Sequence, residues 1–212
     1  MKKIKIKIEA GNGERALILG LIIGVFLLPV VNTVVPQGLI LYANLILVFA
    51  MPLLALAGIF FLKILTGGNA ALWQFAKFFL IGLANTAVNV GIFNYFINAT
   101  GLTRGTPLVI ITAVSFLAAL VNSYIWNTHW AFREGFTNSI YQFERFFVVT
   151  FVGLLVNTTA VIMITTLFYD AAAPKIIDNI GNLFGILCAM VWNFIGYKYF
   201  VFNKKKKWTQ SY

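Results

Sequence analysis

Negative charge is scarce in this chain: 212 residues carry six Asp and Glu against sixteen Lys and Arg. The six are Glu9, Glu14, Glu134, Glu144, Asp170 and Asp178, and all lie outside the long apolar runs. A proton-coupled exporter would be expected to hold a carboxylate within the membrane, so that class is disfavoured. There is one cysteine, Cys188, which excludes an intramolecular disulfide. There is one histidine, His129, and it lacks the partners that a metal site needs; no metal or cofactor is expected. No Walker lysine motif, GxSxG elbow, HExxH helix or carboxylate pair occurs, so the chain is not expected to be an enzyme. Charged residues of both signs make up only 10%, whereas a soluble domain carries about 25% because its surface must face water. A water-soluble globule is excluded.

What is present is apolar length. Hydrophobic residues make up 60% of the chain and mean hydropathy is +0.88. Six runs, at 16–35, 39–65, 75–97, 107–130, 147–169 and 180–202, each supply the roughly 20 residues that a helix needs to cross a ~30 Å hydrocarbon layer. They lack the strict alternation of barrel strands. An all-α integral membrane protein of about six transmembrane helices follows, since a helix satisfies its own backbone in lipid. The run after the basic 1–15 segment is long and has no A-x-A-like cleavage site, so it reads as a retained helix and not a signal peptide.

Charge sets the orientation. With the N-terminus cytoplasmic, the inner segments hold 14 of the 16 basic residues and the outer segments only Arg104 and Lys175, as the positive-inside rule requires. Both termini are therefore expected in the cytoplasm of a multi-pass protein of the cell membrane. The formal net charge of +10 is accounted for by topology and by anionic membrane lipids, and no nucleic-acid partner is expected.

The last four spans contain a duplication. Gln74-Phe75-Ala76-Lys77-Phe78-Phe79 recurs 68 positions later as Gln142-Phe143-Glu144-Arg145-Phe146-Phe147, and Val88-Asn89 falls on Val156-Asn157 at the same shift. The segment from Ser123-Tyr124 to Ala131-Phe132 lies over Asn193-Phe194 to Val201-Phe202, shifted by 70. Each unit is a helical hairpin that begins and ends on one side, so the repeats are expected to be parallel. The expected organisation is a basic cytoplasmic segment 1–15, an added two-helix hairpin 16–70, a four-helix core 74–203 (repeats 74–133 and 142–203) and a basic tail 204–212. The added hairpin joins the core through Thr66-Gly67-Gly68-Asn69.

Polar residues interrupt these spans. Gly82, Asn85 and Asn89 share one helical face. Ser115, Asn122 and Asn127 mark the fourth span, Thr150, Gly153 and Asn157 the fifth, and Asn182, Gly185, Ala189 and Asn193 the sixth. An amide in hydrocarbon must find a partner. Packing helices together is the usual reason for such residues; convergence on one polar cavity is the alternative. The Gly185-x-x-x-Ala189 pair would also allow a close contact in a homo-oligomer. At the inner edge, Trp126, Trp130, Tyr197 and Tyr199 fit belt anchors, and Lys77, Arg133, Arg145 and Lys198 fit topology charges, although Arg can also clamp a phosphate.

The duplication, the Gly82-x-x-Asn85-Thr86-x-x-Asn89 pattern and the Trp126-Asn127-x-x-Trp130-x-Phe132-Arg133 signature resemble the GtrA-like family of membrane proteins. The resemblance covers about 74–202. It departs at Thr128, where the family commonly has a basic residue, and at Tyr197, which stands where the second copy would have Asn. The resemblance implies a four-helix core that flips a polyprenyl-phosphate-linked sugar across the cytoplasmic membrane for cell-surface polysaccharide glycosylation. Its partners would be the lipid-linked sugar and membrane glycosyltransferases. On that reading Lys77, Arg133, Arg145 and Lys198 hold the phosphate. Asn85, Asn89, Asn122, Asn127, Asn157 and Asn193 line the path, and Trp126, Trp130 and Trp192 stack on sugar faces. Two other classes fit the same sequence: a non-transporting partner or regulator of a glycosyltransferase, and a small-molecule exporter.

Overall fold

A computed structural model describes residues 11–137, 139–168 and 174–203, with the side chains of 174–176 and 179 excepted. The basic residues Lys2, Lys3, Lys5, Lys7 and Lys204 to Lys207, the acidic Glu9 and Asp170, and the Lys175 side chain lie outside the described residues. All regular structure among the described residues is helical. The helices are α1 (Asn12–Val34), α2 (Ile40–Leu65), α3 (Ala70–Thr100), α4 (Gly105–Trp126), α5 (Ile140–Leu167) and α6 (Pro174–Gly196). Among the described residues, six helices are long and apolar enough to cross a membrane. Their outward faces carry Phe49, Leu53, Phe61, Val109, Ile162 and Leu183, each more than half exposed. A surface so rich in large apolar side chains is stable only against lipid. The protein is a multi-pass membrane protein.

The helices outrun the apolar stretches of the sequence. The first begins at Asn12, inside the segment expected to be a cytoplasmic extension, and the fifth begins seven residues before the expected 147. Glu14 and Glu144 therefore sit on helices in exposed positions, Glu14 in the first turn of α1, where negative charge suits the helix dipole. Between α2 and α3 the chain reverses through Gly67 (φ 55) and Gly68 (φ 88), a left-handed pair that glycine adopts without steric cost. Asn69 then caps α3, its Oδ1 accepting from the N–H groups of Ala71 (3.0 Å) and Leu72 (3.1 Å).

Contacts divide the chain into two compact units, Met1–Ala131 and Phe132–Tyr212. In the first, α1 packs on both α2 and α3. Gly20 and Gly24 lie one turn apart on α1 and form a notch for α2: a Cβ on Gly20 would stand 2.5 Å from the Met51 carbonyl and from the Pro52 Cα, and one on Gly24 would stand 2.5 Å from the Leu47 carbonyl. This is the small-xxx-small contact of membrane helices, which lets backbones approach closely. Farther along, Gly91 of α3 admits the Phe26 backbone of α1, and Asn98 donates to the Pro29 carbonyl at 3.2 Å.

The second unit is built on α5 and α6. Gly185 of α6 receives the Asn157 carbonyl and the Val161 side chain of α5. The close approach expected to serve a second copy is thus occupied within the chain. An aromatic cluster closes the end of this hairpin. Phe132 stacks on Phe202 (5.1 Å between centroids) and Phe146 on Tyr197 (4.4 Å), while the Tyr197 hydroxyl meets Thr150 Oγ1 at 2.6 Å.

Two local features occur in both units at the spacing of the sequence repeat. Each of α4 and α6 ends in a π-helical turn, at Asn127–Ala131 and at Tyr197–Val201. Each turn is held by a glutamine from the start of the preceding helix: Gln74 Nε2 donates to the Ala131 carbonyl (3.0 Å), and Gln142 Nε2 donates to the Val201 carbonyl (3.1 Å). A π turn shifts the ladder from i−4 to i−5 and displaces carbonyls from their regular partners, and the glutamine supplies a donor. Gln142 does more. It is 5% exposed, donates also to Gly135 (2.8 Å), and accepts from the Thr137 N–H (3.0 Å).

Two stability predictions follow from these contacts. Gly20→Ala forces a methyl group into backbone and is expected to cost about 1–3 kcal/mol, whereas Gly58→Ala enters open space and is expected to be neutral or to stabilise by up to about 1 kcal/mol. Thermal unfolding of both variants in detergent checks the contrast. Gln142→Leu strands several buried polar groups and should cost about 2–4 kcal/mol, while Gln74→Leu removes one bond and should cost about 1 kcal/mol; equal losses would contradict the clamp.

Candidate functional site

Within the first unit, the intramembrane amides meet on the α3–α4 contact. Asn122 Nδ2 of α4 donates to Asn85 Oδ1 of α3 at 3.0 Å. Both residues are half-buried. The bond uses one N–H and one carbonyl, so the pair still offers the Asn85 N–H groups and the Asn122 oxygen to another molecule. Asn89, one turn on from Asn85 and also half-buried, has no hydrogen-bond partner among the described residues. Gly82, on the same face, is exposed and has open space above its Cα. Together these residues make a polar strip on an otherwise apolar helix.

The aromatic end of α4 is arranged differently from the sequence expectation. Trp126 is half-buried and meets Trp130 edge-on at 6.4 Å. Trp130 itself is 2% exposed, and its Nε1 donates to Asn12 Oδ1 of α1 at 2.7 Å. No face of that indole is open to a sugar, so Trp130 anchors α1 to the end of α4. Asn127 is fully buried; its Nδ2 donates to the Ser123 carbonyl (2.8 Å) and hydroxyl (3.1 Å), which removes it from a lining role. Thr128 is also buried, its hydroxyl donating into the backbone of α4.

The second unit carries the corresponding residues in altered form. The position that matches Asn85 is Gly153, and Asn193 of α6 lies against it: a Cβ there would overlap the Asn193 amide. A glycine on one helix thus makes room for an amide from the other. Among the described residues, Asn193 Oδ1 is buried without a partner, as are the amide oxygens of Asn44 and Asn127. The position that matches Asn122 is Trp192, half exposed, whose Nε1 donates to the Val149 carbonyl at 3.1 Å. Asn157 is half-buried beside Gly185.

The basic residues stand on aromatic rings. Lys77 Nζ lies 5.3 Å from the centroid of Trp73 in the first unit. In the second, Arg145 lies over Phe200 and Lys198 over Phe194 and Tyr199, each at 5.5 Å. Arg133 is exposed in the short turn Arg133–Gly135. Cation–π contact of this kind holds a charge at the membrane edge.

Neither described cavity contains the expected lining. One, of about 310 Å³, lies at the far end of α3 and α4 between Phe96, Leu102, Pro107, Ile110 and Val114. The other, of about 190 Å³, lies between α2 and α3. Both are apolar. The expected lining residues form strips and pairs on their helices, and none of them lines either of these two cavities. Residues that the sequence reading passed over are Asn12, Gln74, Gln142 and the Lys63–Trp73 contact (4.4 Å). The glutamines open both copies of the duplicated motif, and that recurrence was the signal for them.

The sequence that forms these hairpins has relatives. An uncharacterized membrane protein of Bacillus subtilis, YngA, is 26% identical over 141 residues, which is 64% of this chain and 83% of that protein. No solved structure matches the chain. The family described as GtrA/DPMS, transmembrane domain, matches residues 77–202. That match spans more than half of the chain and takes in both hairpins, so this protein belongs to the GtrA/DPMS transmembrane-domain family.

Proposed function

We propose that this protein moves a polyprenyl-phosphate-linked sugar from the inner to the outer leaflet of the cell membrane, for use by a membrane glycosyltransferase. Membership of the GtrA/DPMS family supports a role in handling such lipids. The observation that carries the reading is the polar strip on α3, where the Asn85–Asn122 pair keeps unused donors and an acceptor and where Asn89 is unpartnered among the described residues. A sugar entering hydrocarbon loses its water, and uncompensated hydroxyls are costly there. Amides can replace that water because each offers two donors and an acceptor. The polyprenyl tail needs no such help and stays in lipid.

In this proposal both termini are cytoplasmic, Lys77, Arg133, Arg145 and Lys198 receive the phosphate, and Asn85, Asn89, Asn122 and Asn157 with Trp126 and Trp192 serve the sugar. The chain carries no catalytic group of its own; a glycosyltransferase charges the lipid and another uses it. A second reading, a non-transporting partner of a glycosyltransferase, is favoured by one observation: Asn127 bonds back into α4, Asn193 packs against Gly153 of α5, and Trp130 is tied to Asn12 of α1, as helix packing alone would require.

Flipping by the purified protein separates the two readings. In vesicles loaded with a fluorescent polyprenyl-phosphate sugar, the native protein should make the label accessible to an outside quencher. The Asn89→Leu/Asn157→Leu double variant should slow this by about thirtyfold, as expected for losing roughly 1 kcal/mol at each amide. Unchanged transport by the folded double variant defeats the lining role. Absence of transport by the native protein, with stable co-purification of a glycosyltransferase, supports the second reading instead.

A further inference from the structure

Arg104 is a charge that topology does not explain. In the orientation proposed above it is one of two basic residues on the outer side against 14 within, so it opposes the bias that orients the chain. It immediately precedes α4, in extended backbone, and its side chain is exposed. No hydrogen bond, ion pair or ring contact engages that side chain among the described residues. Glu14 is the one described acidic residue of the first unit. It lies in the first turn of α1, whose Asn12 reaches Trp130 at the opposite end of α4. Arg104 stands instead at the mouth of the larger cavity: Leu102 and Thr106, two residues to either side of it, belong to the lining. From there the space of about 310 Å³ follows one face of α4 through Pro107, Ile110 and Val114, an i, i+3, i+7 series, for about 10 Å. Leu102, Ile110 and Val114 are exposed, so the space opens sideways to lipid. Phe96 forms its α3 wall, on the helical face that carries Asn89 and Asn85 farther in. The cavity and the amide strip thus lie in line along the α3–α4 contact.

We propose that Arg104 and this cavity hold the phosphate and the first isoprene units of the lipid carrier on the outer leaflet, where the path along the amide strip ends. The inference rests on the transport reading for the identity of the lipid. Charge complementarity argues for a phosphate. A guanidinium grips two phosphate oxygens at once, whereas an apolar partner helix laid over the cavity would leave Arg104 without an anion. The single apolar channel argues for a lipid with a single chain; a glycerophospholipid carries two, and one of them would stay outside. With the phosphate at Arg104 and the chain directed inward along α4, the sugar projects away from the membrane. That is the side on which a glycosyltransferase would take it.

Photolabelling of the full-length protein in detergent tests it, with decaprenyl phosphate carrying a diazirine in its first isoprene unit as the probe. Labelling is expected within residues 96–114. Arg104→Gln should lower it there by about tenfold, as expected for losing a charge-assisted contact to phosphate, and Arg104→Lys should restore part of it. Ile110→Trp places a larger ring at the exposed side of the cavity and should abolish labelling there. Unlabelled decaprenyl phosphate should compete with the probe, and phosphatidylglycerol at the same concentration should not. Equal competition by phosphatidylglycerol overturns the proposal, as does an absence of label in 96–114. Undiminished labelling of the folded Arg104→Gln or Ile110→Trp variant overturns it as well. Detergent has no leaflets, so labelling requires no transport. A protein labelled here that fails to flip the lipid keeps the site and loses the transport reading, whereas one that flips the lipid without this label loses only the site.

Discussion

Inside a hydrocarbon layer there is no water to complete a hydrogen bond, so every polar group that enters must arrive with its partner. Most of the geometry of this protein answers that constraint. Threonine and serine hydroxyls fold back onto carbonyls of their own helices, as at Ser115 and Ile111 (2.8 Å). Asn85 and Asn122 satisfy each other across a helix pair. Trp192 and Gln74 reach backbone carbonyls on other segments. Because lipid tails are as apolar as leucine, burial adds little to helix association in such a layer. Close backbone contact at glycine and these few polar bonds therefore determine which helices pair.

The π turns show how that requirement shapes a helix end. Widening the last turn from Asn127 to Ala131 brings Asn127, Thr128, Trp130 and Ala131 into buried positions. The widened turn displaces carbonyls, and a glutamine on the helix before it supplies a donor. The second hairpin uses the same device with different residues, Tyr197 replacing Asn127 and entering an aromatic cluster with Phe146 and Phe202. The amides have diverged in a compensating way. Where the first hairpin matches amide to amide, the second sets an amide against a glycine.

Much of the architecture was legible from composition and run length. Six apolar stretches became six helices, and the Thr66–Asn69 turn is where the glycines placed it. The duplicated Gln-Phe motif was visible as a repeat, but its chemistry was not, because the carbonyls it serves belong to π turns and no residue periodicity announces a π turn. The Gly20-Leu21-Ile22-Ile23-Gly24 motif was present in the first run and was passed over in favour of Gly185-x-x-x-Ala189, whose glycine faces α5. Trp130 is ambiguous in the sequence for a different reason. Its aromatic character fits a sugar platform equally well, and its true partner, Asn12, lay in a stretch read as extramembrane by its charge. Helix-face periodicity put Asn85 and Asn89 on one side correctly, yet it could not tell whether an amide on that side would be free, paired or turned inward.

The Asn12–Trp130 bond joins residues 118 positions apart. A ribosome adding roughly 5–20 residues per second delivers Trp130 several seconds or more after Asn12 has left it. Throughout that interval the amide at the start of α1 has no indole to meet. The first helix to be made therefore receives this tie only when the last helix of its unit is complete.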